Sequence, residues 1–182
     1  MADPLIAVDN LRYAYPGGVQ ALDLAHLSVH AGESLGLVGP NGAGKTTLFL
    51  CLAGVLPVQA GMVRIADIDP GVREQRRKLP SKVGIVFQNS EDQLFNTTVF
   101  DDVAFGPLQL GLPAEEARRR TAEALAQVGL AGFEERVPFH LSGGEQRRAA
   151  LAGVLAMKPD IILLDEPSQF LDPRGRRRLI GL

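Results

Sequence analysis

Gly39-Pro40-Asn41-Gly42-Ala43-Gly44-Lys45-Thr46 lies between a short apolar run at 34–38 and a helix-like run at 46–56. Its spacing, G-x-x-x-x-G-K-[ST], is that of a loop that wraps phosphate groups. Gly39, Gly42 and Gly44 let the backbone turn tightly, so its amides converge on phosphate oxygens. The start of the following helix adds its positive end at the same point. On this reading Lys45 serves the β- and γ-phosphates and the Thr46 hydroxyl serves a Mg²⁺ ion. Pro40, Asn41, Ala43 and Thr47 complete the candidate nucleotide-contacting set. A nucleoside triphosphate with Mg²⁺ is the implied ligand.

Outward from this loop, the pattern reads as α/β. Residues 5–13 and 22–29 read as strands around the turn Tyr15-Pro16-Gly17-Gly18. The nearly continuous apolar run at 34–38 predicts a buried parallel strand. Strands are expected at 61–66 and 83–87, and again at 161–164. Between about 99 and 157 the pattern is mostly helical. An amphipathic helix is expected at 114–128, stopped by Gly129, and a second at 144–157. The plan is an antiparallel N-terminal part, an α/β core over about 1–87 and 159–182, and an inserted helical subdomain over 88–158.

The bulk properties of the 182 residues narrow the partners. Hydrophobic residues make up 46%, charged residues 22%, and the formal net charge is -2. No basic excess supplies the electrostatic footprint of a nucleic-acid binder. The sole cysteine, Cys51, excludes an internal disulfide and falls in a helical apolar run, as a buried thiol in a reducing compartment would. No run approaches the roughly 18 apolar residues of a membrane span, and the start lacks the layout of a signal peptide. Work at a membrane would therefore pass through a partner.

The second chemical feature is Ile161-Ile162-Leu163-Leu164-Asp165-Glu166, an apolar strand ending in two carboxylates. Asp165 suits the acidic partner of Thr46, holding the metal through water. Glu166 suits a general base that orients and polarises an attacking water. Phosphoryl transfer needs positioning and charge stabilisation above all, and these groups supply much of both.

Leu141-Ser142-Gly143-Gly144-Glu145-Gln146-Arg147-Arg148 resembles the signature segment of the ATP-binding-cassette ATPases. The resemblance covers the whole chain and implies a P-loop ATPase fold. It implies that Ser142, Gly143 and Gly144, at a helix start, hold the γ-phosphate of ATP bound to an opposite subunit. The partner would be a second ATPase subunit, identical or paralogous, in a head-to-tail dimer. Tyr15 occupies the place of the aromatic that stacks on adenine; a plain turn residue is the competing reading. Gln88 matches the glutamine that reaches metal and attacking water and senses the transport partner. Leu171-Asp172 matches the loop that crosses the dimer interface, and Asp172 also suits a helix cap.

Phe87-Gln88-Asn89-Ser90-Glu91-Asp92-Gln93-Leu94-Phe95, with Asp101-Asp102-Val103-Ala104-Phe105-Gly106-Pro107, is similar to the ATPases of energy-coupling-factor importers. Those include cobalt, nickel and vitamin systems, and cobalt or nickel is favoured here. The implied function is an ATP-hydrolysing motor, peripheral on the cytoplasmic face of the membrane. It would grip a transmembrane coupling subunit in a groove near residues 88–107. Phe95, Val99 and Phe105 either line that groove or pack the helical subdomain.

The resemblance also sets expectations that the chain does not meet. The family's switch histidine follows one strand beyond the acidic pair, whereas His26, His30 and His140 all precede it. The sequence thus reads as C-terminally truncated, able to bind ATP better than to hydrolyse it. Gln169-Phe170 is bulkier than usual for this subfamily. Two alternative functions follow: a regulatory protein that binds nucleotide without turnover, and a soluble non-transport ATPase of the same superfamily.

Overall fold

The computed structural model describes residues 3–166, which form two compact units that meet in sequence at Val83 and Gly84. Asp172 and the 169–171 segment lie outside the described residues.

In the first unit, alternation builds a sheet. Ile6, Val8, Leu11 and Tyr13 of β1 (Ile6–Ala14) are buried, with exposed residues between them. β1 is the centre of a three-stranded sheet, flanked by β2 (Gln20–Val29) and β3 (Ala60–Ile65), both antiparallel to it. The expected antiparallel N-terminal part is therefore present. Helix α1 (Lys45–Leu52) follows the glycine-rich loop and buries Thr47, Leu48, Cys51 and Leu52. Cys51 has no exposed surface, and burial pushes its thiol up to about 11. A single-turn helix, α2 (Arg73–Arg76), follows β3 in this unit.

One expectation fails here. Residues 34–38 form no strand, and Leu35 and Val38 are 50% and 99% exposed. An apolar run becomes a buried strand only where hydrogen-bonded neighbours accept its backbone. The three strands of this unit pair with one another and not with 34–38.

In the second unit, β4 (Val83–Val86) is hydrogen-bonded to β5 (Ile161–Leu164), and α3 (Val99–Gln109), α4 (Ala114–Gln127) and α5 (Gly143–Met157) pack on one another. Each helix start has a local cause. Thr98 caps α3 by accepting from the Asp101 amide, and Asp101 and Asp102 complement the positive end of the helix. Ser142 and Glu145 form a reciprocal capping box on α5. On α4 the Glu116 carboxyl is held at about 2 by hydrogen bonds from Arg119 and then Arg120. The core joins Val86, Leu94, Val103, Leu125, Leu130 and Leu151 with the small residues of α5. Val99 belongs to this core with no exposed surface, so it lines no groove.

Small residues let these elements approach closely. A Cβ on Gly84 would sit 2.3 Å from Val154 Cγ1 and 3.2 Å from Pro159 Cγ. Gly84→Ala should therefore destabilise this unit by about 1–3 kcal/mol, the usual cost of overpacking. Denaturant unfolding would show a lower midpoint at constant slope. An unchanged midpoint would mean that β4 does not press on α5.

Candidate nucleotide site

The phosphate loop is built within the first unit. Gly44 stands at the N-terminus of α1 with φ 85°, and a Cβ there would lie 2.3 Å from the Ala21 carbonyl oxygen. Only glycine satisfies both the conformation and the space. Ala43 N donates to Pro40 O at 3.2 Å, closing the turn. Lys45 Nζ donates to the Gly39 and Pro40 carbonyls at 2.8 and 2.9 Å, so the lysine lies back along its own loop. No side chain caps α1 and no acid occupies its first turn, which keeps that helix start suited to an anion.

The two threonines that open α1 diverge. Thr46 is exposed, whereas Thr47 is buried and its Oγ1 lies 3.2 Å from the Tyr15 hydroxyl. Tyr15 packs edge-on against Tyr13 with ring centroids 5.1 Å apart, and is 38% exposed. The structure thus brings Tyr15 to the start of α1, within the same unit as the loop.

The second unit assembles the other set. β5 delivers Asp165, which is buried and whose amide donates to Val86 O at 2.9 Å. Glu166 follows with φ 49°, a left-handed conformation uncommon for a side-chain-bearing residue. Gln88 Nε2 donates to Glu166 Oε2 at 3.0 Å. Two sequence-predicted residues, 78 positions apart, are therefore in direct contact.

Arg147 is the residue that sequence reasoning passed over. It is 5% exposed and donates to the carbonyls of Asp165 at 2.9 Å, Glu166 at 2.7 Å and Gln88 at 3.4 Å. Burial draws its guanidinium below its ordinary value, opposed by the nearby charges of Glu166 and Asp165. The available signal was an arginine on the inward face of a helix rich in alanine, since arginine is almost never fully buried without partners.

At the start of α5, the Ser142 hydroxyl and amide both donate to Glu145 Oε2 at 2.7 Å. These bonds hold the Glu145 carboxyl below the usual carboxylate range. Gly143 has open space where a Cβ would be. Between Gln88 and α3, Gln93 bonds Phe87 N and Ile85 O, and Asp102 Oδ1 accepts from Phe95 N, Asn96 N and Asn96 Nδ2. These bonds fix a surface on which Phe95 and Phe105, 61% and 43% exposed, meet edge-on at 5.1 Å. Among the described residues no helix is long and apolar enough to cross a membrane.

A glycine-rich phosphate loop beside an antiparallel sheet, with a helical subdomain carrying a capped Ser-Gly-Gly helix start, defines the P-loop ATPase fold of ATP-binding cassettes. The family model described as ABC transporter matches residues 22–169, and the chain belongs to that family. Within it, the chain is similar to the energy-coupling factor transporter ATP-binding protein EcfA of Methanothermobacter thermautotrophicus, at 52% identity over 98% of this chain and 58% of the relative. The structure of cbiO1 from Clostridium perfringens, part of the ABC transporter complex cbiONQ, matches with TM-score 0.85 and 36% identity, covering 99% of this chain and 72% of that one. An ATP-binding cassette solved as a dimer in a post-hydrolysis state with ADP and Pi matches with TM-score 0.87 and 28% identity, over 97% and 80% of the two chains. The chain thus spans under two thirds of the length of its EcfA relative.

Proposed function

We propose that this chain is the ATP-driven motor subunit of an energy-coupling-factor-type importer, with cobalt or nickel as the favoured cargo. The observation that carries it is the contact between Gln88 and Glu166. It joins the candidate base to the segment that leads directly to the exposed Phe95–Phe105 surface. The names of the relatives, one an energy-coupling factor subunit and one a member of a transporter complex, support the same reading.

In this mechanism residues 39–47 bind the phosphates of ATP, Lys45 neutralises their charge, and Tyr15 stacks on the adenine. The hydroxyl of Thr46, the carboxylate of Asp165 and the amide oxygen of Gln88 are hard oxygen donors that suit Mg²⁺. Mg²⁺ held by these donors would offset the charge that develops during phosphoryl transfer. Glu166 accepts a proton from water as the water oxygen bonds the γ-phosphorus; the bond from the γ-phosphorus to the β-phosphate oxygen breaks, and ADP leaves with its electron pair. Ser142, Gly143 and Gly144 complete the ATP site of a facing subunit, with Asp172 crossing that interface. Closure of the dimer around ATP then moves a membrane subunit seated near residues 88–107.

Affinity purification from a native membrane extract tests this. The expected result is a co-purifying multispanning protein, MgATP hydrolysis by the complex, and ATP-dependent uptake of Co²⁺ or Ni²⁺. Hydrolysis with no membrane partner would favour a non-transport ATPase. Uptake of a vitamin in place of the metals would correct the cargo alone.

A further inference from the structure

Resting on the ATPase reading above, we propose that Arg147 is a positioning residue that holds the Gln88–Glu166 pair in working geometry and ties it to the signature end of α5. Its planar guanidinium carries five donors in a fixed fork. Three carbonyl acceptors meet it, from two stretches far apart in the chain: Gln88 on one side, Asp165 and Glu166 on the other. The side chains of Gln88 and Glu166 bond to each other from these same two stretches. Arg147 therefore fixes the backbones whose side chains make the pair.

The bond to Glu166 falls on the carbonyl of the residue with left-handed φ. Such a conformation persists where surrounding structure imposes it. Arg147 supplies that constraint from a buried position, where its bonds are shielded from competing water. It also lies five residues beyond Ser142 on the same helix, roughly 7–8 Å along the axis at 1.5 Å per residue. A rigid α5 thus links the surface offered to the facing subunit with this chain's own base. Displacement of the Ser142 end is passed to Glu166 through one guanidinium. Lysine is a poor substitute, because a single ammonium lacks the fork that reaches both stretches.

Arg147→Lys and Arg147→Met in the full chain, compared with the parent by hydrogen exchange and turnover, test the proposal. Exchange should rise in the 85–89 and 163–166 peptides, by about tenfold or more, with Met worse than Lys. Elsewhere in the 84–166 unit exchange should stay at parent values, as should fluorescent-ATP affinity, because the phosphate loop lies in the other unit. Turnover should fall by at least about tenfold at unchanged KM, the pattern of a lost transition-state contribution. Unchanged exchange in both peptides would overturn the proposal. So would a rise spread evenly over α3, α4 and α5, which would make Arg147 a general packing residue. A parent protein that shows no ATPase activity even when assembled with the proposed membrane subunit would instead overturn the ATPase reading, while the exchange pattern would still decide the role of Arg147.

Discussion

Glu166→Gln should stop turnover and leave ATP bound. The substitution keeps size and shape but removes the carboxylate that, in the proposed mechanism, takes the proton from water. General-base catalysis contributes about 10²–10⁴ in rate, or roughly 3–5 kcal/mol of barrier. The local framework should survive. Gln88 Nε2 donates to Glu166 Oε2, and an amide oxygen at that position still accepts. Arg147 holds the Glu166 carbonyl, which the substitution leaves alone. Phosphate release by the protein assembled with the proposed membrane partner should thus fall by that factor at unchanged nucleotide affinity. ATP-loaded dimer should accumulate on size-exclusion chromatography. Turnover at the parent rate would remove Glu166 from the role of base and leave Asp165 as the carboxylate to examine.

Lys45→Ala should abolish tight nucleotide binding, one step earlier in the cycle. Lys45 has two tasks at one ammonium. It bonds the Gly39 and Pro40 carbonyls, which ties both ends of the loop together, and in the proposed mechanism it brings a positive charge to the phosphates. A hydrogen bond to a charged group contributes about 1.5–3 kcal/mol. Its loss corresponds to roughly 10- to 150-fold in Kd, and loosening of the loop adds to that. Titration with a fluorescent ATP analogue measures it directly. The unfolding midpoint should barely move, because these bonds lie at the surface. Parent affinity in Lys45→Ala would place the phosphates somewhere other than residues 39–46.

How far the sequence could be read follows from how local each cause is. The glycine-rich loop and the helix start at Ser142 depend on neighbours in the chain, and they form where the pattern places them. The 34–38 run shows the limit. Its apolar content is evident, but strand formation needs hydrogen-bonding partners that no local pattern supplies. Val99 shows another. Its apolar character fits a groove and a core equally, and only the packing of α3 on α5 assigns it to the core. Arg147 was hardest to foresee, since its acceptors are backbone carbonyls 18, 19 and 59 residues away. Backbone acceptors carry no residue type, so the sequence leaves no mark of them. The contact between Gln88 and Glu166 was reachable only by joining the base role read for Glu166 from its strand end to the role that family resemblance assigned to Gln88.

The shielding of Cys51 provides a way to watch this protein open. The sole thiol lies inside α1, about a turn and a half beyond Lys45 and Thr46, with no surface exposed. With its acidity suppressed by burial, it is protonated at neutral pH and out of reach of alkylating reagents. Any labelling must wait for α1 to detach from the sheet, so the labelling rate is a clock for that detachment. Ligand occupancy of residues 39–46 should slow the clock, and mass spectrometry can follow it without engineering a single residue.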